Sequence, residues 1–220
     1  MSKLRAVVVI DYQNVHLVGL NLFHKSCEPY EFLVHPLHFA NQLISRRNAN
    51  QREGGQEAEL AKVLVYRGLP SADADAKPYA RNLAQQTEWE SDPRVNVTMR
   101  PLKYTYKRDA DGQKATDARG RAIVTGKREK GVDVLCALAL MREARLDGVD
   151  LVILASQDTD LEPALDEALD LGLAKVETAS WFEPHDRRAT REIRPSQHRI
   201  WNTRLNAQAY DACCDQKDYA

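Results

Sequence analysis

The stretch LVILASQDTDLEPAL, residues 151–165, opens as an unbroken apolar run and then sets Asp158 and Asp160 two residues apart. A run of this kind, ending near Ala155, reads as a strand covered on both faces of a parallel sheet. The residues that follow, DLEPALDEALDLGL (160–173), space Leu161, Ala164, Leu165, Ala168 and Leu169 as a helix does, and Gly172 supplies the stop. A buried strand handing over to a helix through a short acidic loop is one unit of an α/β fold. Outward from it, LRAVVVI (4–10), AKVLVYRG (61–68) and AKVETASW (174–181) supply further strands, and helical spacing recurs over 35–51, 77–91 and 132–146. The alternation predicts an α/β fold with a mostly parallel central sheet.

One segment departs from the pattern. VNVTMRPLKYTYKRDADGQKATDARGRAIVTGKREKG (95–131) starts as a strand, crosses a polar loop and returns through GRAIVTG, which predicts a protruding β-hairpin arm at about 95–130. Residues 103–130 carry nine Lys or Arg against four Asp or Glu, and 183–204 carry six Arg against three acidic residues. The whole chain of 220 residues has a formal net charge of −1, so no global field points to nucleic acid or membrane, and any such contact is local. Cys27, Cys136, Cys213 and Cys214 lack paired metal spacing and fit a reducing cytosol. With no signal peptide and no spanning stretch, a cytoplasmic location is expected.

Ligands of open α/β sheets collect at the carboxyl ends of the strands, where strand order reverses. VVVI is followed by Asp11 and Asn14, and VILA by Ser156, Asp158 and Asp160; the helix at 132–146 opens with Asp133, directly after Lys130 and Gly131. Each acid has a local reading as a helix cap or a dipole partner. Together they place several carboxylates at one sheet edge, where like charges need a cation. Oxygen ligands without His or Cys suit Mg²⁺ or Mn²⁺. GRAIVTGKRE (120–129) imitates a phosphate loop, but it has five residues between Gly120 and Gly126 and Arg128 after Lys127.

These ordered motifs resemble the NYN domain family of the PIN-like nuclease superfamily. The resemblance runs from VVVIDYQNV through EKGVDVLCALAL to VILASQDTDLEPAL and covers roughly residues 5–182. It rests on an Asp followed three residues on by Asn (Asp11, Asn14), a K-G-V-D at a helix start (Lys130–Asp133), and an S-G-D-x-D met by Ser156, Asp158 and Asp160, with Gln157 at the Gly position. It implies a PIN-like three-layer sandwich over 1–182 and leaves 183–220 as a C-terminal extension packing on or trailing the domain.

The implied activity is metal-dependent ribonuclease cleavage of RNA phosphodiester bonds. Asp11, Asp133 and Asp158 then hold Mg²⁺ or Mn²⁺, Asp160 completes the site or orients the nucleophile, Asn14 positions a carboxylate or phosphate, and Ser156 orients the loop. The arm then serves to bind RNA. Lys103, Lys107 and Arg108 with Tyr104 and Tyr106 interleaved combine charge with stacking rings, and Lys127, Arg128 and Lys130 lead into the acidic site. Arg187, Arg188, Arg191 and Arg194 form a second basic patch. The expected partners are RNA and a second copy of the chain in a homodimer, with no membrane. The alternative is a non-catalytic RNA-binding regulatory module on the same fold.

Overall fold

The computed structural model describes residues 2–186 and 190–219. Its elements follow the chain as β1 (Leu4–Asp11), α1 (Tyr12–Phe23), α2 (Pro36–Ala49), β2 (Ala58–Leu69), α3 (Ala76–Trp89), β3 (Val95–Pro101), β4 (Lys103–Tyr106), β5 (Val124–Arg128), α4 (Val132–Glu143), β6 (Leu151–Ala155), α5 (Glu162–Leu171), β7 (Lys175–Trp181), β8 (Asn202–Leu205) and α6 (Ala207–Cys213). β1 shows why the middle of the sheet is apolar throughout. Val8 and Ile10 enter the core on one face and Val7 and Val9 the core on the other, so both faces of the strand are covered.

Six strands form the sheet in the order β3-β2-β1-β6-β7-β8, and every neighbouring pair is parallel. Starting at β1, the chain builds outward to β3 on one side, then returns beside β1 with β6 and builds to β8 on the other. The reversal therefore lies between β1 and β6, whose register pairs Ile10 with Ala155. One face carries α1, α2 and α6 over Val8, Ile10, Ile153 and Trp181; the other carries α4 and α5 over Val7, Val9, Val152 and Leu154. The result is a three-layer α/β sandwich. Fully buried side chains such as Ile153, Leu154 and Leu165 each contribute on the order of 1.5–3 kcal/mol relative to exposure.

The arm is shorter than the sequence predicts. Residues 95–101 are β3, an edge strand of the main sheet whose Val95 and Val97 alternate into the core, so this part cannot protrude. The hairpin proper is the antiparallel pair β4–β5, a separate two-stranded sheet, with bridges at Arg108–Lys114 and Thr116–Ala122 along the connection.

Beyond residue 182 the chain continues into the fold. β8 adds the sixth strand beside β7, and α6 packs Tyr210, which is wholly buried, against the helical layer. A Cβ at Gly19 would lie 2.4 Å from the Tyr210 ring and 2.8 Å from Trp181 Nε1, so only glycine lets α1 approach this closely. Among the described residues no helix is long and apolar enough to cross a membrane.

Candidate metal centre at the sheet switch point

Asp11 is the last residue of β1 and caps α1, with its side chain accepting from Asn14 N at 3.5 Å. That position at the switch point leaves it 6% exposed. Its Oδ2 accepts a 3.0 Å hydrogen bond from Ser156 Oγ. Burial pushes the Asp11 carboxyl up to about 6; the bonds from Ser156 and Asn14 oppose this, and the charges of Glu129 and Asp158 add to it. A buried, undercompensated carboxylate is the condition under which a cation becomes favourable.

Three further bonds fix the loop after β6, two within the loop and one to α1. Ser156 Oγ accepts from Asp158 N at 3.1 Å, Asp158 Oδ1 accepts from Asp160 N at 3.1 Å, and Asn14 Oδ1 accepts from Gln157 N at 2.7 Å. Asn14 thus spends its carbonyl oxygen on fixing the loop. Gln157 fits its turn because positive φ occurs only at glycine among the described residues. Its side chain turns inward: Nε2 donates to Arg191 O at 2.6 Å and Oε1 accepts from Trp181 N at 3.3 Å. The side chain at the usual Gly position is thereby buried and engaged.

Asp133 arrives from the opposite layer. Gly131, with φ of 75°, turns the chain into α4 and puts Asp133 in the first helical turn. The Arg100 guanidinium lies 3.3 Å from where a Gly131 Cβ would stand. An open cleft of about 540 Å³ results, lined by Asp11, Asp133 and Asp158 together with Glu129, Lys130 and Arg100. Asp160 is exposed on the turn that follows and is not part of this lining.

Glu129 and Arg100 carry no sequence signal of their own. Glu129 stands directly before the K-G-V-D motif and Arg100 at the end of a strand, positions that only the sheet order makes meaningful. Glu129 accepts a hydrogen bond from Gly68 N, and a rotated Gln13 amide donates to its Oε1 at 2.8 Å. Burial raises the Glu129 carboxyl above its usual range; the Gly68 amide and Arg67 oppose this, and Asp133 adds to it.

The donor set is all oxygen, which suits a hard divalent cation. Among the described residues no three His, Cys, Asp or Glu side chains converge closely enough to hold an ion unaided. That geometry fits Mg²⁺ or Mn²⁺ bound through one or two carboxylates with water filling the remaining positions, and it does not fit a closed all-protein cage.

The expected RNA-binding residues divide into two groups. Lys130 lines the cleft, and Lys127 and Arg128 line the cavity next to it. Lys103, Lys107 and Arg108 are exposed on the arm, and Arg108 Nη1 donates to Gly112 O at 2.8 Å. Tyr104 and Tyr106 stack with centroids 6.3 Å apart. The Tyr104 hydroxyl donates to Asp75 at 2.6 Å and accepts from Ser71 N, while Lys127 Nζ also bonds Asp75, so the base of the arm is anchored to the 71–75 loop. Of the second basic patch, Arg187 and Arg188 lie outside the described residues; Arg194 pairs with Glu192 at 3.2 Å.

No protein-family model matches the chain, and no curated protein matches it. A solved structure is similar to it: the crystal structure of a protein of unknown function from Vibrio parahaemolyticus, with 19% identity over 80% of this chain and 81% of that one and a TM-score of 0.42. Fold and site together define a three-layer α/β protein with a carboxylate-lined cleft at the switch point of its sheet.

Proposed function

We propose that this protein is a metal-dependent endoribonuclease of the NYN type within the PIN-like superfamily. The observation that carries the reading is the meeting of Asp11, Asp133 and Asp158, from three separate elements, in one cleft at the sheet reversal. In this reading one or two of these carboxylates hold Mg²⁺ or Mn²⁺ directly and the remainder act through its bound waters. When bound, the ion supplies a water of lowered pKa and neutralises negative charge developing on the phosphate.

The chain's own groups do the rest. Lys130 and Arg100 present cations to the non-bridging phosphate oxygens at the same cleft. Ser156 holds the Asp11 carboxylate in orientation through its 3.0 Å bond. Asn14 keeps the acidic loop against the start of α1 through Gln157 N. Asp160, exposed and outside the cleft lining, acts through its backbone amide, which holds the Asp158 carboxylate at 3.1 Å. The basic, tyrosine-bearing arm and Lys127, Arg128 and Lys130 guide the RNA backbone toward the acids.

The test is cleavage of an end-labelled structured RNA with Mg²⁺ or Mn²⁺. EDTA, a DNA of matched sequence and the Asp11→Asn and Asp158→Asn variants run beside it. Cuts that need metal, spare DNA and vanish in both variants support the assignment. Tight RNA binding without cleavage under either metal overturns it in favour of a regulatory RNA-binding module.

A further inference from the structure

Beside the acidic cleft, and sharing Glu129 with it, lies a second cavity of about 510 Å³. Four buried side-chain polar atoms among the described residues lack a hydrogen-bond partner, and three of them belong to residues lining this one cavity: His16 Nδ1, Arg67 Nε and Asn82 Oδ1. Buried polar groups are nearly always satisfied, so three orphans around one space mark a place built for something polar.

Their chemistry can be assigned. His16 Nε2 lies 2.8 Å from Pro29 O, a group that only accepts, so Nε2 carries the proton and Nδ1 is left as an acceptor. The Asn82 amide nitrogen donates to Pro78 O at 2.7 Å, which leaves Oδ1 as a second acceptor. Arg67 donates from Nη1 to Gln85 Oε1 at 2.8 Å and is held over the Tyr12 ring at 4.5 Å, leaving Nε–H as a free donor. The residues of the cavity wall therefore hold two acceptors and one donor in reserve, each shielded from the open space by its neighbours. Tyr30 stands at its rim, 56% exposed, with the Arg81 guanidinium 5.1 Å above its ring.

We infer that this cavity receives an unpaired nucleobase, guanine by preference, from the RNA strand whose phosphate lies in the acidic cleft. The inference rests on the ribonuclease reading. Guanine's Watson–Crick edge carries two neighbouring donors, N1–H and the N2 amino group, beside the O6 acceptor, which complements two acceptors and a donor; the other three bases have a single donor group on that edge. The cavity has the volume of a small-ligand site, and Tyr30 gives the inserted ring a stacking partner. Continuity comes from the chain itself. Lys127 and Arg128 line the cavity, Glu129 lines both spaces, and Lys130 lines the cleft, so one basic segment follows a strand from base to phosphate. The three orphan atoms are shielded from water in the free protein, so the base reaches them through side-chain rotations of the wall, as is common on binding.

Fluorescence anisotropy in EDTA tests this without any cleavage. The probes are short U-rich single-stranded RNAs that differ at one position, which holds guanine, adenine, cytosine or an abasic site. Wild type binds the guanine RNA about tenfold more tightly than the abasic RNA. Tyr30→Ala, on the exposed rim, and Asn82→Leu, at the wall, bind these two RNAs alike while melting within a few degrees of wild type. Asp133→Asn, which removes only a cleft carboxylate, keeps the preference. Equal binding of the guanine and abasic RNAs by wild type overturns the base site, as does a preference that Tyr30→Ala and Asn82→Leu both retain; a stronger preference for another base overturns guanine. A protein that discriminates but never cuts keeps the base site and loses the nuclease reading, and one that cuts without discriminating does the reverse.

Discussion

Ser156 Oγ donates a 3.0 Å hydrogen bond to Asp11 Oδ2 and accepts one of 3.1 Å from Asp158 N. One buried hydroxyl therefore couples two carboxylate-bearing segments across neighbouring strands β1 and β6, fixing where Asp11 points and where the acidic loop sits. Removing it costs both constraints at once. In Ser156→Ala, metal-dependent RNA cleavage falls about 10–100-fold and the Mn²⁺ concentration giving half-maximal rate rises, the scale expected for groups that orient ligands. Folding stability drops by about 1–3 kcal/mol, because the amide of Asp158 and the Asp11 oxygen lose a partner. An unchanged Mn²⁺ dependence would show that the hydroxyl does not position Asp11.

Asp11 and His16 pull the pH dependence of stability in opposite directions. Asp11 is raised from 3.8 to about 6, so the folded state binds a proton more tightly than the unfolded chain. Its stabilising contribution is full below 3.8 and is lost as pH rises through 6. His16 is lowered from 6.5 to about 4 by burial, so its contribution is full above 6.5 and is lost as pH falls through 4. Each is worth on the order of 3 kcal/mol at its limit. In urea unfolding with EDTA present, the stability of Asp11→Asn minus that of wild type should therefore rise between pH 4 and 6. At pH 7.5 the variant should be more stable by about 1–2 kcal/mol, part of the relief being offset by a poorer bond to Ser156. The same difference for His16→Gln should fall as pH rises from 4 to 6.5. Taking differences cancels the other carboxylates, and parallel curves for wild type and both variants would contradict the assignment.

The sheet and the acids at its switch point are legible in the sequence because both are local signals. Continuous apolar runs announce doubly covered strands, and Asp11, Asp133 and Asp158 each follow a readable strand end or helix start. Residues whose role depends on which strands become neighbours are not legible there. Arg100 reads as part of a basic arm until β3 pairs with β2 and brings its end over Gly131. Glu129 reads as one more charge until Gly68 N, at the end of β2, finds it. β8 hides in a polar stretch, since NTRL alternates only Thr203 and Leu205 into the core, too short a pattern to register as a strand. The orphans His16, Arg67 and Asn82 come from three elements, and no spacing in the chain connects them.

The same limit hides the pair Arg47 and Glu177, which are 130 residues apart and nearly solvent-free, with side chains 3% and 8% exposed. Arg47 Nε and Nη2 bind the two Glu177 oxygens at 2.9 and 2.8 Å, the bidentate geometry that locks α2 onto β7. Arg47 Nη1 also donates to Gln56 O at 3.0 Å, fastening the approach to β2. Removing one partner strands a charge in the core, so Arg47→Met should lose about 3–5 kcal/mol by urea unfolding. Desolvation already offsets most of the attraction within the intact pair, so the double variant Arg47→Met/Glu177→Leu should recover at least half of that loss. The remaining deficit is the Gln56 carbonyl left without its donor, about 1–3 kcal/mol. If the double variant is instead less stable than Arg47→Met, the pair contributes net stability beyond what packing replaces, and the α2–β7 contact depends on the charges themselves.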